Sequence, residues 1–316
     1  MDNLFLKRTC CILSFSFLVA ANATAQKDTL SFLHITDLHV IFNRDIYRKD
    51  LAESRKHYGE GETSLRKFLS TAPDGTNADM VIATGDLVDF FEAETDSGVS
   101  LDIQAEQFSD LVADYPVPCF LTLGNHDLFT FVWRNNKLQH HQNSSGRARA
   151  LWIRNLSCFK NGTYYSHLFQ LGHTTYRLIF LDNSFYKFRQ DDSTEVPYID
   201  KAQLYWLNAQ LNEADDDVEI ILMHIPFKDK PAQPGAVNEL YTVLSKIPSI
   251  KLILAGHRHK NEITAFPLAG DQKILQVQTG AFARDENNWR QIRLTENQIQ
   301  VSYPGKTENE LVIPVQ

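Results

Sequence analysis

Cysteine is scarce in this chain of 316 residues: there are four, and Cys10 and Cys11 fall in an N-terminal leader. The other two, Cys119 and Cys158, are too few for a disulfide scaffold. Neither stands in a Cys-x-x-Cys or Cys/His pattern, which removes thiolate metal binding from consideration. Cys119, inside a predicted strand, reads as a buried free thiol. An excess of positive charge is lacking too, since 31 Lys and Arg stand against 39 Asp and Glu, a net charge of −8. Such a surface repels polyanions and excludes a general nucleic-acid binder. A small anionic substrate stays admissible where bound cations supply local positive charge. Beyond the leader there is no apolar run long enough to span a bilayer, no internal repeat, no low-complexity tract and no dividing linker. The full chain, 43% apolar and 22% charged, has the composition of a globular protein with ample core material.

The leader has its own signature. Lys7 and Arg8 precede the apolar run from Cys10 to Ala20, and Ala21, Ala23 and Ala25 offer two A-x-A cleavage positions. This predicts a signal peptide over 1–25, export to the periplasm or the exterior, and a single domain over 26–316. Loss of Asp2, Lys7 and Arg8 with the leader leaves the mature chain slightly more acidic.

Along the rest, apolar runs alternate with helical patterns, and polar residues recur where the runs end. A strand over 29–36 delivers Asp37-Leu38-His39; two positions apart on an extended chain point the same way, which would put Asp37 and His39 on one side. The charged segment 42–61 reads as a loop or exposed helix. A helix follows from Ser64 through Leu69, stopping before Pro73. The strand 78–84 ends in Gly85-Asp86, where glycine permits a sharp turn. After an amphipathic helix over 101–114, the run from Pro116 to Leu123 ends in Gly124-Asn125-His126-Asp127. This order predicts parallel crossover units in an α/β fold. Residues 128–162 read as an irregular excursion, with Phe129, Phe131 and Trp133 as packing and His140-His141 as solvated surface. A hairpin over 163–181 leads to Asp182, a turn cap or a support for the site. A helix over 201–212, a strand over 218–223 ending at His224, and a helix over 238–247 come next. The strand 250–255 opens into Gly256-His257-Arg258-His259, and strands near 275–279, 289–294 and 299–303 complete the chain.

Asp37, His39, Asp86, Asn125, His224, His257 and His259 thus sit at the ends of five predicted strands. Their donors are hard oxygens and imidazoles, a set that suits Mn, Fe, Co, Ni or Zn in a hydrolytic site. Beside them His126 can shuttle a proton, and Asp127 can hold its imidazole in one orientation. Any one of these residues would pass for a turn or a satisfied core histidine; seven at successive strand ends do not.

The blocks Asp37-Leu38-His39, Gly85-Asp86, Gly124-Asn125-His126-Asp127, His224 and Gly256-His257-Arg258-His259 resemble those of the calcineurin-like metallophosphoesterase superfamily, over nearly all the mature chain. The resemblance implies a four-layer α/β/β/α sandwich, two mixed sheets flanked by helices. It implies two divalent metal ions, one held by Asp37, His39, Asp86 and His259, the other by Asp86, Asn125, His224 and His257, with Asp86 bridging. It implies hydrolysis of small phosphate mono- or diesters by a hydroxide between the ions, with His126 protonating the leaving oxygen and Asp127 orienting it. Purple acid phosphatases place a metal-binding tyrosine shortly after the Gly-Asp block and lack the first-block histidine. Here His39 is present and Asp89 stands in the tyrosine's place, so the pattern is closer to the class III cyclic-nucleotide phosphodiesterases and the sphingomyelinase-like enzymes. Asp89 reads as a helix or turn cap, and Arg147, Arg154 and Arg189 as exposed surface rather than phosphate contacts. A different class, a non-catalytic metal-holding surface binding protein of the same fold, should have lost ligands or His126; none is missing.

Overall fold

Strands rich in Val, Ile, Leu and Phe, buried on both faces, account for two six-stranded sheets at the centre of the molecule. The computed structural model describes residues 27–188, 195–213, 217–227, 236–267 and 273–315; the predicted leader and Arg189 lie outside them. The first sheet runs Asn309–Pro314, Gln298–Ser302, Arg290–Thr295, Thr29–Ile35, Met80–Thr84, Cys119–Thr122, with the last three parallel. The second runs Glu262–Pro267, Lys273–Gln278, Ile250–Ala255, Asp217–Leu222, Thr174–Phe180, Tyr165–Leu171, parallel within and antiparallel at both edges.

The two-residue period sorts each strand's side chains between two cores. Phe32, Met80, Ile82 and Ile292 of the first sheet meet Leu178, Ile220, Leu222 and Leu252 of the second between the sheets. Leu33, Ile35, Val81 and Ala83 point outward, under the helices Gly61–Thr76, Gln104–Ala113 and Ser145–Asn155. Ile179, Ile221 and Ile253 do the same beneath Lys201–Leu211 and Ala236–Leu244. Each such Val, Leu, Ile, Phe or Met side chain contributes about 1.5–3 kcal/mol through burial. The result is the expected four-layer α/β/β/α sandwich of two mixed sheets.

Two local expectations change. The second helix runs through Pro73, which is buried in its last turns, where the missing N–H removes a single bond, and it ends at Asn77 with φ 52°. The stretch 128–162 is ordered rather than irregular. Thr130–Arg134 and Lys137–His141 form a hairpin around Asn135 and Asn136, both at positive φ, and join Glu92–Glu94 and Ser100–Leu101 in a small sheet. Phe129 and Phe131 are buried there, as packing. No helix among the described residues is long and apolar enough to cross a membrane.

Parallel strands place their C-terminal ends on one edge of a sheet, where ligand loops collect. Both sheets present that edge on the same side. His34, one turn of chain before the first block, joins them from beneath: its ring nitrogens lie 2.8 Å from the hydroxyls of Thr84 and Thr279.

Candidate metal centre

The loops leaving the strands approach so closely that they share backbone hydrogen bonds. The amides of Leu38 and His39 donate to the Asp86 carbonyl at 2.8 and 2.9 Å, and that of Asp37 to the Gly85 carbonyl at 3.0 Å. Asp37 and His39 do converge, but not as an extended strand: the strand ends at Ile35, and both residues have positive φ. So do Asp86, His257 and His259. Five of the seven predicted ligands therefore occupy a backbone region costing about 1–3 kcal/mol each. Such strain persists only where surrounding contacts impose it, and here it turns side chains from different strands towards one point.

Asp37, His39, Asp86 and His259 bring one ligand atom each within 4.8 Å of one another, as do Asp86, His224 and His257. Asp86 belongs to both groups. His259 Nε2 lies 3.1 Å from Asp37 Oδ1, and His224 Nε2 3.2 Å from Asp86 Oδ2. Asn125 Oδ1 accepts from His257 Nδ1 at 3.0 Å, which sets the amide oxygen beside the second group.

The donor set fits cations. His39 Nε2 and His259 Nε2 face each other at 3.2 Å. His224 donates through Nδ1 to the Thr84 carbonyl at 2.7 Å, leaving its buried Nε2 without a hydrogen-bond partner. An orphaned buried nitrogen aimed at a carboxylate suits a metal ligand. The charges agree: burial opposes a proton on His224, yet the Asp86 carboxylate prevails and pushes the imidazole up to about 9. Burial also resists charge on Asp86, which the histidines around it nevertheless hold well below the usual carboxylate range. Two ionised carboxylates buried together call for positive charge between them.

The predicted partner of His126 is different. Its Nδ1 donates to the backbone carbonyl of Asp89 at 2.7 Å, not to Asp127. Both Asp127 oxygens are taken, Oδ1 by the Val88 amide at 3.0 Å and Oδ2 by the Gly124 amide at 2.7 Å. Asp127 therefore staples the third block to the second and does not orient the imidazole. Burial, then the Asp86 charge, pushes its carboxyl up to about 7. The His126 ring stands 4.6 Å from that of His39, edge to face, and burial lowers its pKa to about 4.

Asp89 is no cap. Its carboxylate accepts from His39 Nδ1 at 3.1 Å and from Arg55 Nε and Nη2 at 2.7 and 2.5 Å. Arg147 and Arg154 are exposed, as expected, although Arg147 also pairs with Glu92 at 2.5 Å; Arg149 reaches the buried Asp182 at 2.7 Å and neutralises it. Asp182 caps its turn by accepting from the Ser184 amide at 3.2 Å. Its neighbour Asn183 supports the site, taking the His224 and Ile225 amides at 3.2 and 3.1 Å. The sequence offers the spacing that singles out Asp89, three residues after Asp86, and for Asn183 an amide beside Asp182 at a strand end; for Arg55 it offers no signal.

Comparison with curated protein sequences finds no match. Among solved structures the fold is similar to a dimetal phosphatase from Danio rerio, at 16% identity and a TM-score of 0.58, covering 91% of this chain and 99% of that one. It is also similar to GAP50, the anchor in the inner membrane complex of Plasmodium (13% identity, TM-score 0.49, covering 91% and 89%). A putative 5′-nucleotidase from Staphylococcus aureus is a further match (16%, TM-score 0.48, covering 91% and 54%). The first of these likenesses is one of fold. The sequence itself carries a match across the region that holds every candidate ligand: residues 30–261 fit the model of the calcineurin-like phosphoesterases, and the chain belongs to that family.

Proposed function

We propose that this chain is an exported hydrolase of small phosphate mono- or diesters working with two divalent cations. The observation that carries the reading is the sharing of Asp86 between two groups of ligand atoms, Asp37, His39 and His259 on one side and His224 and His257 on the other. Asn125 completes the second group through its amide oxygen. Cations held there, from Mn, Fe, Co, Ni or Zn, supply Lewis acidity and an activated water. The chain's own contributions are distinct from that. His126, anchored through Nδ1, keeps Nε2 for the departing oxygen; the neutral ring has no proton there to give, so only its imidazolium form, scarce above a pKa of about 4, protonates that oxygen. Asp127 and Asn183 hold the loops, which fixes the distance between His126 and the cation ligands. Export follows from Lys7, Arg8 and the run to Ala20, with cleavage before Gln26.

The protein, loaded with Mn²⁺, is to be assayed on p-nitrophenyl phosphate, its bis-ester, cyclic nucleotides and sphingomyelin. Turnover on at least one ester, abolished by chelation and restored by the metal, is expected. Two bound cations with no turnover on any ester would turn the reading towards a metal-holding binding protein. N-terminal sequencing of the mature protein checks export, and a chain still beginning at Met1 contradicts it.

A further inference from the structure

We infer that Arg55 is a positioning residue for one half of the cation centre, a role that rests on the two-cation reading above. Arg55 caps the short helix Lys49–Ser54 in the charged segment after the first block, and reaches back across the fold to Asp89. Its side chain is only 17% exposed, and it grips both oxygens of Asp89 through Nε and Nη2. That carboxylate in turn takes His39 Nδ1, which leaves Nε2 as the nitrogen directed at Asp37, Asp86 and His259. The same arginine lies over the rings of Tyr58 and Phe131, 4.9 and 5.5 Å from their centroids. Tyr58 stacks flat on His39, centroids 4.3 Å apart and planes 3° from parallel.

His39 is therefore held on its edge by Asp89 and on its face by Tyr58, and Arg55 touches both holders. A carboxylate free to rotate would leave the imidazole free to turn its donor nitrogen away. The bidentate geometry suits a planar guanidinium and cannot be reproduced by an ammonium group. Among the described residues nothing comparable backs His224, whose Nδ1 is fixed by a backbone carbonyl. The influence of Arg55 should thus fall on one cation and spare the other.

Equilibrium dialysis of Co²⁺ against the full-length wild type, Arg55→Ala and Arg55→Lys, with metal analysis, reads each site's affinity. The expected result is one cation weakened by about 10–100-fold in Arg55→Ala and the other unchanged. Arg55→Lys should recover part of the loss, and millimolar guanidinium added to Arg55→Ala should recover more. If Arg55→Ala does not fold, Asp89→Asn keeps the shape of the carboxylate, removes its charge and must weaken the same single cation. Two cations bound as in the wild type, or both weakened alike, or a loss that guanidinium leaves untouched, would overturn the role of Arg55. A wild type that binds no Co²⁺ at all would instead refute the two-cation reading.

Discussion

Substitution separates the residues that hold cations from the one that moves a proton. Asp86→Asn keeps the size of the side chain and halves its donor capacity where two groups share it, so both cations should be lost together, as metal analysis would read. His126→Ala should keep both cations, because the imidazole is tied to the Asp89 carbonyl and joins neither ligand group that contains Asp86. Its turnover should fall by about 10²–10⁴-fold, the range for removal of a general acid. Simultaneous loss of metal and turnover in His126→Ala would contradict that division. The ligands were legible in the sequence because hard donors recur where apolar runs stop. The roles of the carboxylates beside them were not. Asp127 and Asp89 both stand near His126 in the folded chain, and only the direction of each hydrogen bond assigns the one to backbone amides and the other to His39.

Elements converge here because certain residues have no side chain to obstruct them. A Cβ on Gly124 would collide with the amide and carboxylate of Asp86, neither of which can yield without moving the shared ligand. Gly124→Ala should therefore cost about 3 kcal/mol or more and bind fewer cations, measured by thermal melting and metal analysis. Gly146, in the helix Ser145–Asn155, meets nothing within 4 Å, and Gly146→Ala should be neutral or stabilising by up to about 1 kcal/mol. That helix lies in the segment 128–162, whose sequence predicts an irregular excursion. It brings in Trp152, fully buried, whose indole N–H donates to the Asp127 carbonyl at 2.9 Å. The two-strand pairing before it carried a usable cue, Asn135-Asn136 between alternating residues, since asparagine tolerates the positive φ that such a turn demands. The long parallel strands were readable from their apolar runs alone. The backbone turns at Asp37, His39 and Asp86 were not, because tertiary contact between loops imposes them against local preference.

The sandwich as a whole carries two buried titratable groups that pull its stability in opposite directions with pH. His34, between the sheets, has its pKa lowered to about 3 by burial and then by the Arg290 charge, so the folded state keeps it neutral. The unfolded chain takes up that proton near pH 6.5, and stability should fall as pH drops from there towards 3. Glu219 lies buried in the strand Asp217–Leu222 with neither carboxylate oxygen hydrogen-bonded, and burial pushes its pKa up to about 7. Here the folded state holds the proton more tightly, so its contribution is complete below about pH 4.5 and is lost as pH rises to 7. In the overlapping window the contributions of these two groups oppose each other. Glu219→Gln removes one side of that balance. Its stability relative to the wild type, from urea unfolding at fixed pH, should be near zero at pH 4.5 and grow in the variant's favour up to about pH 7, then level off. A difference that does not change with pH would mean that Glu219 finds, within the fold, a partner for its charge.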